Sequence, residues 1–132
     1  MDFVFIVGRV LFALLFIGSG IGHFRALEAM TGYAKYKKVP AAKASVIGSG
    51  LLILAGAVSV ALGIYPALGA LALVIFLVPT AFLMHGFWNE TDPQSKMNEQ
   101  IAFNKDIALA GAALVLFYIF STATNLPLIL VK

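Results

Sequence analysis

Only 11% of the 132 residues are charged and 61% are hydrophobic. A soluble domain carries about a quarter of its residues charged, so a water-soluble globular fold is excluded and an integral membrane protein is indicated. With no cysteine in the chain, disulfides, thiolate nucleophiles and cysteine-ligated iron–sulfur clusters are excluded. The net charge of +3 gives no ground for a nucleic-acid surface, because the basic residues are distributed as a topology signal.

A spanning helix needs about 20 largely apolar residues, and four stretches qualify. The first runs from Phe3 to about His23, interrupted only by Arg9. Its one earlier charge is Asp2, and without a basic leader region it reads as a span rather than a cleaved signal peptide. Residues 24–43 follow, with Arg25, Lys35, Lys37, Lys38 and Lys43. Within them Phe24, Leu27, Met30 and Ala34 recur at helical spacing, which predicts a short amphipathic helix lying on the membrane and ended by "KKVP".

The second span is Ala44–Leu62, with three serines and no charge. "LGIYPALG" (62–69) reads as a tight turn, so the second span and the third, Ala67 to about Met84, form a hairpin. "NETDPQSK" reads as a solvated connection broken at Pro93, and residues 88–105 add Lys96 and Lys105. The fourth span begins near Asp106, where the acid suits a helix N-terminus, and continues past "STATN" (121–125) to a break before Pro127.

Seven of the nine Lys/Arg residues fall in the two long connections. The positive-inside rule places those connections in the cytoplasm and both termini outside. The predicted fold is an all-α membrane protein: four transmembrane helices in an antiparallel bundle, one domain over 1–132, with an interfacial helix between the first two spans.

Polar residues placed at 100° per residue gather into stripes. Arg9, Ala13, Gly20 and His23 share a face of the first span. Ser45, Ser49, Gly56, Ser59 and Gly63 do so on the second, and Asn104, Ala108, Gly111, Tyr118 and Thr122 on the fourth. Small residues let helices approach closely in lipid, so these stripes predict a polar seam. Toward the outer end the candidate ligand-binding residues are Arg9, Ser59, Tyr118 and Thr122. Arg9 has no acid partner there, and it either snorkels to headgroups or anchors an anionic or carbonyl-bearing ligand. At the cytoplasmic surface the candidates are His23, His85, Trp88 and Asn104, a group that serves equally well as interfacial anchors. Two helix-end histidines with no third ligand spaced nearby do not make a haem or metal site. No carboxylate pair and no nucleophile–base arrangement is evident, which argues for an accessory subunit over a stand-alone transporter or enzyme.

The patterns "GRVLFALLFIGSGIGHF" (8–24), "YKKVP" (36–40), "HGFW" (85–88) and "FNKDIALAGAAL" (103–114) resemble the DoxX family of small four-helix bacterial membrane proteins. One departure lies in the second span, where relatives often carry an acid and "GSGLLILAG" (48–56) has none. The resemblance implies a bacterial inner-membrane subunit linked to redox systems, with a quinone as the candidate cofactor and other membrane or cytoplasmic redox proteins as candidate partners beside the lipid bilayer. It supplies no list of catalytic residues. A non-catalytic scaffold that recruits a soluble partner through basic loops is the competing expectation, and a homo-oligomer is compatible with either.

Overall fold

The computed structural model describes residues 1–132 and contains five α-helices: α1 (Asp2–Arg25), α2 (Leu27–Tyr36), α3 (Ala42–Leu62), α4 (Pro66–Met84) and α5 (Pro93–Thr122), with a 3-10 turn at Phe87–Asn89. All but α2 are long and apolar enough to cross a membrane. α1 packs on α3, α3 on α4 and α4 on α5, while α2 lies against α3. Each of these spanning neighbours runs antiparallel to the next. We call the end holding α2 and the α4–α5 connection the loop end, and the end holding Met1 and the α3–α4 turn the terminal end.

Small residues set the helix spacing, as expected where no water drives helices together. A Cβ at Gly56 would sit 2.9 Å from the Gly69 carbonyl oxygen, and one at Gly69 would sit 2.8 Å from that of Gly56. The α3 and α4 backbones therefore touch. The interior is a narrow column in which Ala13, Phe16, Ile53, Ala57, Leu73, Leu77, Ala113 and Phe120 are buried. Leu11, Leu14, Phe82, Leu114 and Val115 point outward, the surface a lipid solvent demands.

The predicted amphipathic segment is α2, which buries Thr31 and Ala34. The fourth span differs from its expectation at its start. It begins at Pro93, and Asp92 caps it by accepting from the Ser95 N–H at 2.9 Å. Asp with Pro at the first helical position is a helix-start signal, and the polar run that follows is helical. At about 45 Å, α5 outruns the ~30 Å hydrocarbon layer, so its first turns project beyond it at the loop end. Asp106 accordingly lies well inside a helix and is not an N-terminal charge.

After α5 the chain folds back as a strap across the terminal end. The N–H groups of Leu130 and Val131 donate to the Gly63 carbonyl at 2.9 and 3.0 Å, and Tyr65 N–H donates to Val131 O at 2.8 Å.

Candidate functional site

α1 buries Arg9, Ala13, Phe16, Gly20 and His23, the face that the polar spacing marks. α5 presents a different face from the expected one. Asp106, Ala110, Ala113 and Phe120 are buried, whereas Asn104, Ala108, Gly111, Tyr118 and Thr122 are all exposed. Polarity misleads here because a membrane has water at both ends. Tyr118 sits near the terminal end, where a phenol suits the interface, and the Thr122 hydroxyl donates to the Tyr118 carbonyl at 2.8 Å.

The four residues expected to gather at the terminal end do not meet. Arg9 is buried and donates to the carbonyls of Leu128 at 3.0 Å and Pro127 at 3.4 Å in the strap. Its expected hydroxyl partners are engaged elsewhere. Ser59 donates to the carbonyls of Ile64 at 2.6 Å and Tyr65 at 3.1 Å, bracing the α3–α4 turn. Main-chain oxygen is the electron source that an arginine without an acid partner requires.

At the loop end the histidines do enter a polar cluster, with partners the sequence reading did not choose. His85 follows α4, and its Nδ1 donates to Glu99 Oε2 at 2.8 Å, while its Nε2 lies 3.7 Å from Asp106 Oδ2. Glu99 and Asp106 are seven residues apart on α5, two turns on one face. Tyr33 of α2 donates its hydroxyl to Glu99 Oε1. Lys37 bonds to Glu90 at 2.8 Å and lies 3.7 Å from Glu99 Oε1. Burial, then the Glu99 bond and charge, push the Tyr33 phenol up to about 12 against the opposing effect of Lys37. For Lys37, burial works against the charge, but the bond to Glu90 and the neighbouring negative groups outweigh it, so its pKa stands above the usual lysine value.

Two of the expected loop-end residues stand apart. Trp88 is half exposed and packs with Phe82, Phe87 and Phe103 at ring separations of 5.2–6.0 Å. Asn104 is two residues from Asp106, about 200° around the helix, and is exposed.

Behind the cluster a cavity of about 640 Å³ penetrates the loop-end half of the bundle. It lies among Phe16 and His23 of α1, Tyr33 of α2, Val46 and Leu52 of α3 and Phe76 of α4, with Asp106 on α5. The His23 Nδ1 donates to the Ser19 carbonyl at 2.8 Å, and its ring meets Phe76 edge-on at 6.0 Å. A Cβ at Gly50 would fall 2.9 Å from the His23 Cβ, so glycine there lets α3 close on the histidine. Pro79 has no N–H and leaves the Ile75 carbonyl without its regular helical donor. Both residues line the cavity.

No group of three or more His, Cys, Asp or Glu side chains is arranged to hold a metal ion. The Asp–His–Glu line instead suits hydrogen bonding and proton exchange at the edge of an apolar chamber.

A family model described as DoxX matches residues 4–86, from the first turn of α1 to just past α4. No curated protein and no solved structure matches the chain. The match takes in Arg9, His23 and His85, while Glu99 and Asp106 lie beyond it on α5. With more than half of its length matched and four helices fit to cross a membrane, the chain belongs to the DoxX family.

Proposed function

We propose that this DoxX protein is a ligand-holding membrane subunit of a redox system, and that its occupant is a quinone-class ring or a lipid seated in the loop-end cavity. The observation that carries this reading is the cavity itself. Its volume of about 640 Å³ falls within the range of roughly 300–1,000 Å³ usual for small-molecule sites. Its lining is mainly apolar, with His23 and Asp106 among the polar groups. Arg9 is engaged by the strap, which favours the loop end over the terminal end as the ligand site. The basic connections favour a cytoplasmic loop end in a bacterial inner membrane, so the cavity opens toward the compartment where soluble redox partners reside. The subunit works by holding and presenting its ligand, with catalysis left to a partner.

The test is extraction of protein purified in mild detergent, followed by mass measurement of the organic phase. Retention of a quinone or a defined lipid in near-stoichiometric amount supports the reading. Protein that folds normally and yields only bulk detergent and bulk lipid refutes it.

A further inference from the structure

We infer that the cavity chooses its occupant by hydroxyl groups: the polar atoms that His23, Ser45, Ser49 and ionised Asp106 offer to it are acceptors, so it takes a hydrogen-bond donor such as a hydroquinone or phenol in preference to an oxidised quinone. This deepens the ligand reading above and rests on it.

The atoms can be assigned one by one. A backbone carbonyl only accepts, so the 2.8 Å contact between His23 Nδ1 and Ser19 O places the proton on Nδ1. In the neutral ring Nε2 is then a bare acceptor. The His23 Cβ sits beside the α3 backbone at Gly50, and the ring meets Phe76 edge-on.

Asp106 is 94% buried, being 6% exposed, and lines the cavity. Its carboxyl makes no hydrogen bond within the chain, and the His85 Nε2 lies 3.7 Å from its Oδ2. While ionised it lacks donors at this depth, and a ligand hydroxyl supplies one and keeps it an acceptor. Ser45 gives its hydroxyl proton to the Pro40 carbonyl at 2.8 Å, and Ser49 gives its own to Val46 O at 3.1 Å. Both oxygens therefore offer only lone pairs to the cavity they line. The Tyr33 hydroxyl is spent on Glu99, and the His85 Nδ1 proton likewise.

Donors in the lining reduce to the Lys105 ammonium and the hydroxyls of Ser19 and Thr80. Lys105 and Ser19 are exposed. A para-diol or phenol donates where a quinone carbonyl would face acceptor against acceptor. Sites built to hydrogen-bond a hydroxyl reject the analogue lacking it, because their own polar groups are then left unpaired.

The experiment uses the whole protein in lipid nanodiscs and three probes sharing a decyl tail: decylhydroquinone under argon, its dimethyl ether, and decylbenzoquinone. Partition is measured against empty nanodiscs. The expected result is hydroquinone bound about tenfold or more tighter than either analogue, a difference of about 1.4 kcal/mol. Asp106→Asn adds an N–H donor, so the preference over the quinone should collapse toward parity, with thermal melting as the check on folding. If that variant fails to fold, the ranking of the three probes on the unmodified protein decides alone. Equal binding of the hydroquinone and its dimethyl ether, or tighter binding of the quinone, overturns hydroxyl selection and leaves the ligand reading intact. Failure of all three probes and of dioctanoylglycerol to exceed empty nanodiscs overturns the ligand reading with it. A dioctanoylglycerol arm identifies the source: its binding without that of decylhydroquinone upholds hydroxyl selection and assigns the donor to a lipid alcohol.

Discussion

Replacing Arg9 with methionine is expected to release the C-terminal strap and leave the bundle standing. Arg9 donates to the Leu128 carbonyl at 3.0 Å and, more weakly, to Pro127 at 3.4 Å. A bond from a charged donor contributes about 1.5–3 kcal/mol, and the longer contact adds less than about 1 kcal/mol. The strap therefore loses about 2–4 kcal/mol of anchoring. Against this, Arg9 Nε is buried without a partner, which costs about 1–3 kcal/mol. Keeping an arginine at membrane depth costs up to about 3 kcal/mol on insertion scales. Methionine removes both penalties, so the bundle as a whole should change by less than about 2 kcal/mol. At 1.4 kcal/mol per tenfold, strap opening should rise by a factor of about 30–1,000. Hydrogen exchange followed by mass spectrometry on peptides covering 126–132 and 51–60 reads the two effects separately. Fast exchange confined to the strap fits. Strap exchange within about threefold of the wild type would show that the Gly63–Val131 contacts suffice, and a large loss of protection in α3 would show that Arg9 supports the bundle itself.

Other outcomes can be checked as directly. Tyr33, with its pKa pushed up to about 12, should stay protonated at pH 11, as read by phenolate absorbance. The native state then holds a proton that the unfolded chain has released. Its contribution to stability should be full below pH 10 and fall as pH rises toward 12; ordinary tyrosine titration would contradict the Tyr33–Glu99 bond. Gly69→Ala places a methyl 2.3 Å from Ser59 Oγ and 2.8 Å from Gly56 O. It should destabilise the protein by about 1–3 kcal/mol in thermal melts, and an unchanged midpoint would mean α3 and α4 are not in backbone contact. Single cysteines at the exposed Lys38 and Gln94 should resist an impermeant thiol reagent in intact cells, whereas one at Asp2 should react. The reverse pattern would invert the proposed orientation.

Long apolar runs carried the four spans, and hydrophobic recurrence with interleaved lysines carried α2. The inward face of α1 was legible because Arg9, Ala13, Gly20 and His23 recur at helical spacing. Composition hides the start of α5, because the polar residues after Asp92 read as solvated loop, although Asp92, Pro93 and a donor at Ser95 form a helix-start signal. Polarity alone points to the wrong face of α5, because Tyr118 and Thr122 are polar yet exposed while Asp106 is buried. An acid at the edge of an apolar run was the better guide to the interior. The links of Glu99 to His85, Tyr33 and Lys37 join three segments far apart in the chain. They depend on where α2 docks, which no local pattern specifies. The Arg9 contacts with Pro127 and Leu128 span 118 and 119 residues and use main-chain oxygens, which carry no side-chain signature at all.

Photoaffinity labelling tests the central claim, a ligand chamber inside the loop-end half of the bundle, most directly. The protein in nanodiscs is irradiated with an azido-benzoquinone bearing a decyl tail, and the adducts are mapped by peptide mass. A ring held in the cavity gives adducts on the stretches that line it, Leu15–His23, Ser45–Leu52 and Ile75–His85, and excess decylhydroquinone suppresses them. Adducts spread instead over the lipid-facing residues Leu11, Leu114 and Val115, and insensitive to competitor, would contradict the claim.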